Sequence, residues 1–238
     1  MSEKTLGILG GLGPLATVYF MDMVVKMTEA KCDQDHISMI VLNHAAIPDR
    51  TGFILDNTMP NPLPMMIEDA KKLEAAGSDL VVMPCNTALV LYEQIQKNIE
   101  IPMINIIEET VKYAVNHNKG IKKLGILATK GTISSKAYQN MCKKYSLDCV
   151  VPSIADEQSL MNIIYNQVKA GKKVNIDEFM RIIENMKGDG CDAVALGCTE
   201  LSIINKDFEL SREDIIDSLQ VLAMRSIELC GKTLKEAF

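Results

Sequence analysis

Two cysteines in this chain stand at matching points of two similar segments, and chemistry would begin there. Ser78-Asp79-Leu80-Val81-Val82-Met83-Pro84-Cys85-Asn86-Thr87 aligns with Cys191-Asp192-Ala193-Val194-Ala195-Leu196-Gly197-Cys198-Thr199-Glu200, so Asp79 matches Asp192 and Cys85 matches Cys198 at one constant offset. A thiol placed at a helix N-terminus has its pKa drawn down toward neutrality and becomes a competent proton acceptor. Two thiols on opposite sides of one carbon can take a proton from one face and return a proton to the other. Each cysteine follows a short apolar run and precedes polar, hydrogen-bonding residues: Asn86 and Thr87 after the first, Thr199 and Glu200 after the second. The remaining cysteines, Cys32, Cys142, Cys149, Cys191 and Cys230, read as small buried apolar residues. A cysteine hydrolase would need an activating histidine beside its nucleophile. His36, His44 and His117 are scattered, and no spacing brings one to either cysteine.

The elements that would position these thiols alternate along the chain. Apolar runs at 4–9, 38–42, 80–83 and 102–105 are separated by helical patterns at 14–31, 65–76 and 89–98. The second half repeats the scheme, with strand-like runs at 124–128, 148–151 and 193–196 and helical patterns at 134–145, 158–170, 176–186 and 214–229. Leu6-Gly7-Ile8-Leu9 and Gly13 are echoed by Leu124-Gly125-Ile126-Leu127 and Gly131. Short apolar strands alternating with helices predict parallel sheets covered on both faces. The expected class is α/β, with two pseudo-symmetric domains, each a mostly parallel sheet flanked by helices, and an active site in the interdomain cleft. The first domain would comprise 1–105 plus 212–238, and the second 106–211. Residues 48–64, rich in Pro, Asn, Asp and Thr, read as a long loop. Ligands of such sheets bind beyond the carboxyl ends of the strands, which is where Cys85, Cys198, the 10–14 loop, Asn43 and Thr129 all fall.

Gly11-Leu12-Gly13-Pro14-Leu15-Ala16 satisfies the glycine spacing of a dinucleotide turn. The acidic residue expected at the end of the second strand is missing, and Asn43-His44 stands there instead. A glycine turn that aims helix N–H groups at a small carboxylate fits these residues better, and makes Gly13 a substrate-binding candidate.

Composition excludes other classes. The formal charge of -6 and the absence of Trp argue against a nucleic-acid partner. Seven cysteines, an odd number without framework spacing, point to reduced thiols in a cytoplasm. No C-x-x-C occurs, so no metal site is expected. No apolar stretch reaches membrane-span length, and the N-terminus enters a strand without a secretory leader, so the expected location is cytoplasmic with no membrane partner.

Gly10-Gly11-Leu12-Gly13-Pro14-Leu15-Ala16-Thr17, Pro84-Cys85-Asn86-Thr87-Ala88 and Leu196-Gly197-Cys198-Thr199-Glu200-Leu201 together resemble the three signatures of the aspartate/glutamate racemase family. Ile47-Pro48-Asp49-Arg50-Thr51 and Leu127-Ala128-Thr129-Lys130-Gly131-Thr132 are similar to its aspartate-racemase branch. The resemblance spans nearly the whole chain. It implies a small-molecule amino-acid substrate, a homodimer, and neither pyridoxal phosphate nor any other cofactor or metal. Cys85 and Cys198 would be catalytic. Arg50 and Lys169 would bind substrate carboxylates, with Gly13, Asn86, Thr87, Thr129, Thr199 and Glu200 around them.

Three positions depart from the family pattern. Leu89 and Leu222 replace histidines, and Glu200 replaces the histidine of glutamate racemases proper, which places the chain nearer the aspartate or broad-specificity branch. The expected activity is racemisation at Cα of aspartate or glutamate. The alternatives are a cysteine-dependent decarboxylase or isomerase of small dicarboxylates, and a catalytically inactive binding paralogue.

Overall fold

The computed structural model describes residues 3–118, 120–210 and 212–235, and within them two four-stranded sheets, every pairing parallel. The first holds β1 (Leu6–Gly10), β2 (Met39–Asn43), β3 (Leu80–Val82) and β4 (Met103–Ile104) in the order β2-β1-β3-β4. The second holds β5 (Lys123–Leu127), β6 (Asp148–Val150), β7 (Ala193–Leu196) and β8 (Ile215–Asp217) in the order β6-β5-β7-β8. The two orders are the same, so the duplication visible in the sequence is also a duplication of topology. Leu6, Ile8, Val81 and Val82, like Ile126, Val194 and Ala195, have no exposed surface. Helices cover both faces, which is why these strands are continuous apolar runs rather than alternating ones.

Besides the helices Ile106–His117 and Thr199–Asp207, which sequence reasoning did not name, four segments differ from the sequence expectation. The stretch read as a loop contains the helix Arg50–Leu55, started by Asp49, whose carboxylate accepts the Gly52 N–H at 2.6 Å. The expected helix at 134–145 is two helices, Lys130–Ser134 and Ala137–Lys144, broken at Lys136, which has a φ of 59°. The helix Ile154–Asn162 runs on as a π-helical turn, Ile163–Val168, closed by the Lys169 N–H on the Ile164 carbonyl at 3.0 Å. The closing segment opens with β8, and its helix is only Ser218–Leu229. Asp217 makes the break by accepting the N–H groups of Leu219 and Gln220.

That last difference bears on the expected division of the chain. Residues 215–217 complete the second sheet beside β7, so a return of 212–238 to the first half begins only after Asp217. The helix Ser218–Leu229 then packs on Pro14–Met27 of the first half and on Ile106–His117. The main core runs through this helix from β1 and β3 to β5 and Tyr138. Among the described residues, no helix is long and apolar enough to cross a membrane.

Candidate active site

β3 stops at Val82, and Met83 and Pro84 carry the chain to Cys85; β7 stops at Leu196, and Gly197 carries it to Cys198, the residue capping the helix Thr199–Asp207. The equivalent strand ends bring both thiols into the lining of one pocket. Both are nearly buried, at 6% and 4% exposure. The pocket is narrow: about 10 Å³ is open to the centre of a water molecule, room for roughly one.

The surroundings of the two thiols differ. Cys198 Sγ donates to Glu200 Oε2 at 3.0 Å, and Lys169 Nζ lies 2.5 Å from the other carboxylate oxygen. Burial pushes the Cys198 thiol well above its ordinary pKa, the Glu200 charge pushes it further, and Lys169 only partly opposes them. Cys198 therefore rests as a protonated thiol. Burial, the largest single influence, would lower the Lys169 pKa, but Glu200 together with the neighbouring Cys198 and Cys85 outweighs it and holds the ammonium charged. The residue matching Glu200 on the other side is Thr87. Its hydroxyl lies 2.9 Å from those of both Thr129 and Thr132, which are 3.1 Å from each other, so the two halves meet in a triangle of hydroxyls. Thr129 also caps the helix Lys130–Ser134.

Arg50, in the first turn of its helix, is 8% exposed. Nη1 donates to the carbonyls of Ile47 and Pro48, and Nη2 to that of Leu12 at 2.8 Å. Nε is buried without a partner. The Nε–H and the second Nη2 hydrogen, the side-on fork of the guanidinium, are the donors that no protein group takes. Asn86 lines the pocket too, but its side chain is held from outside: Nδ2 donates to Ser218 Oγ at 2.9 Å, and Oδ1 accepts from the Tyr138 hydroxyl at 2.7 Å.

Of the residues expected from the sequence, Cys85, Cys198, Arg50, Asn86, Thr87, Thr129, Lys169, Thr199 and Glu200 are brought together. Gly13 is not. It lies behind the Lys169–Glu200 pair, in an adjoining surface groove, where a Cβ would sit 2.8 Å from Glu200 Oε1. The N–H of Gly11 is taken by the Thr17 hydroxyl at 3.0 Å, so the glycine turn is partly satisfied within itself. Leu89 and Leu222 are buried in the apolar core, outside the pocket lining.

Sequence reasoning missed Leu12, Asp49, Thr51 and Tyr165. Tyr165 stands four residues before Lys169, whose Nζ is 5.6 Å from its ring centroid, and its hydroxyl reaches Asp49 Oδ2 at 3.4 Å. The i, i+4 spacing from Lys169 was the available signal. Asp49 and Thr51 simply flank Arg50. Among the described residues, no group of His, Cys, Asp and Glu is arranged to hold a metal ion.

Residues 9–225 match the family described as Asp/Glu/hydantoin racemase. The broad specificity amino-acid racemase RacX of Bacillus subtilis is 30% identical over 228 residues, covering 93% of this chain and 96% of that protein. The glutamate racemase of Aquifex pyrophilus is 28% identical over 167 residues, covering 66% of this chain but 61% of its own length. Among solved structures, the Picrophilus torridus aspartate racemase superposes with a TM-score of 0.82 at 31% identity, covering 98% of this chain and 96% of that one. An aspartate racemase homologue from Pyrococcus horikoshii gives 0.75 at 25% identity, with coverages of 96% and 99%.

Proposed function

The chain belongs to the Asp/Glu/hydantoin racemase family, and we propose that it inverts the α-carbon of aspartate with two thiols, Cys85 and Cys198, without pyridoxal phosphate. Glutamate is the next substrate in this reading. The same reading makes the protein a cytoplasmic homodimer. What carries it is one observation: cysteines from equivalent strand ends line the same narrow pocket, beside an arginine whose three hydrogen bonds all go to backbone carbonyls.

In this reading Cys198, whose surroundings favour the thiol form, is the acid in the first direction and Cys85 the base. The Cα–H bond breaks as the Cys85 S–H bond forms, and the electron pair stays on Cα, spread into the carboxylate. The Cys198 S–H bond then breaks as a new C–H bond forms on the opposite face. Turnover leaves Cys198 as thiolate and Cys85 as thiol, the state needed for the reverse enantiomer. Glu200 can take up and return the Cys198 proton at Oε2. The developing charge on the substrate carboxylate needs preorganised donors, and the Nε/Nη2 edge of Arg50 supplies a matched pair. Lys169 keeps two N–H donors beyond the one given to Glu200, enough for a side-chain carboxylate.

The test is incubation of protein stripped of pyridoxal phosphate with a panel of L-amino acids in D2O under reducing conditions. Chiral chromatography with mass detection then follows both enantiomer and Cα deuterium. D-aspartate or D-glutamate labelled at Cα is the expected product. No exchange with any amino acid would overturn the racemase reading, and carbon dioxide release without a D-enantiomer would turn it into a decarboxylase.

A further inference from the structure

We propose that Tyr138 is a positioning residue that sets the spacing of the two reactive cysteines, through Asn86 on one side and Gly197 on the other. The inference rests on the two-thiol reading above. Tyr138 lies on the helix Ala137–Lys144, has no exposed surface, and is not part of the pocket lining. Its hydroxyl donates to Asn86 Oδ1 at 2.7 Å, and Asn86 directly follows Cys85. Its ring lies on the backbone of Gly197, which directly precedes Cys198. A Cβ at Gly197 would be 2.9 Å from the ring Cε2 and 3.3 Å from Cζ, with the Ala128 Cβ at 3.2 Å on the same side. Glycine is thus what lets the ring approach so closely.

A second connection runs in parallel. Asn86 Nδ2 donates to Ser218 Oγ, and Ser218 donates in turn to the Leu196 carbonyl at 2.6 Å, one residue before Gly197. The loop bearing Cys85 and the loop bearing Cys198 grow from different sheets with no backbone pairing between those sheets among the described strands. Their separation is therefore fixed by side chains, and these two connections link them directly. A two-base proton transfer depends on that separation, because reacting atoms must be held in a near-attack geometry. Burial raises the phenol pKa of Tyr138, which keeps its hydroxyl a donor. For packing alone a phenylalanine would fill the space; the hydroxyl is required by Asn86, whose buried oxygen would otherwise lose its donor.

Tyr138→Phe separates these roles. The expected result is a kcat lower by roughly 10–100-fold, the scale of a misplaced catalytic group, with KM unchanged within about twofold because Tyr138 touches no substrate. Asn86→Ala removes both connections and should fall at least as far, and the double variant no further than Asn86→Ala alone, since the Tyr138 hydroxyl acts only through Asn86. A Tyr138→Phe enzyme of lower melting temperature but wild-type kcat would show a merely structural role and overturn the proposal. So would full additivity with Asn86→Ala. If Tyr138→Phe does not accumulate folded, Gly197→Ala presses a Cβ onto the same ring at 2.9 Å, and wild-type kcat there overturns the proposal equally. The rate of iodoacetamide alkylation at Cys85 provides a readout independent of turnover and should change severalfold in Tyr138→Phe. Absence of racemisation in the wild type would defeat the functional reading, whereas unaltered Cys85 reactivity in the variant would defeat this inference alone.

Discussion

Cys198 and Glu200 share a hydrogen bond of 3.0 Å, whereas the residue matching Glu200 beside Cys85 is the neutral Thr87. The duplicated halves place two thiols alike and then charge their surroundings differently. One thiol is held protonated beside a carboxylate and an ammonium, and the other lies near a cluster of hydroxyls. In the two-thiol reading, the symmetric fold would carry an asymmetric acid–base pair, as a reaction with distinct donor and acceptor requires.

Glu200→Gln should bring the Cys198 pKa down. Burial, the larger cause of its elevation, remains, but the carboxylate charge is removed and Lys169 is left to favour thiolate. The pH dependence of Cys198 alkylation, followed by mass spectrometry of the labelled peptide, should shift to lower pH. An unmoved profile would mean that Glu200 does not govern this thiol.

Cys85→Ala and Cys198→Ala should each abolish net racemisation. With one acid–base group left, α-proton exchange into solvent should survive for a single enantiomer, and for opposite enantiomers in the two variants. NMR of each enantiomer in D2O distinguishes them. Near-wild-type racemisation by either variant rules out the two-thiol mechanism.

Gly13→Ala tests the wall behind the ion pair. Gly13 has a φ of -118°, so alanine meets no backbone strain, but its Cβ would press on Glu200 Oε1 at 2.8 Å and approach Lys169 Nζ at 3.6 Å. Turnover should drop roughly tenfold or more as the pair is displaced, with a stability loss of about 1–3 kcal/mol from overpacking. Comparison of kcat with urea unfolding separates the two effects, and an unchanged kcat would show that the pair tolerates movement.

Asp156 anchors the helix that leads into Tyr165 and Lys169. Burial pushes its carboxyl up, but bonds from Asn185, Arg181 and Ser153 outweigh this and hold it below its usual range. A depressed folded-state pKa contributes stability that is complete above the unfolded value and is lost as pH falls through the folded one. Melting temperature should therefore decline on the acid side of the ordinary carboxylate range. Asp156→Asn should be less stable at neutral pH and show a shallower acid decline; an identical acid limb would exclude Asp156 as a contributor.

Much of this architecture was legible because strands buried on both faces announce themselves as uninterrupted apolar runs. Leu6 to Leu9 and Ala193 to Leu196 need no context to be read, and the cysteines follow from where those runs end. β8 was hidden because Ile215-Ile216-Asp217 is only three residues long and merges with the helical period after it. The helix Arg50–Leu55 was masked by Pro, Asn and Asp around it, although Asp49 before it is an ordinary N-cap residue. In the site, Arg50, Lys169 and Glu200 were named from motif position. Tyr165 was missed although it stands four residues before Lys169 on a stretch that reads as helical, because nothing in the motif around Lys169 marks it. The engagement of Asn86 by Tyr138 and Ser218 joins residues far apart in the chain, and no local spacing encodes it.

The small free volume of the pocket that both thiols line has a kinetic consequence. A cavity that admits about one water is not the form that meets an amino acid in solution. Where binding waits for a wider form, its apparent dissociation constant is the intrinsic one divided by the fraction of molecules in that form. If opening is the slow event, the observed binding rate should level off as ligand concentration rises. A change that loosens the contacts between the halves would then tighten apparent binding while slowing the proton transfer that depends on their closure.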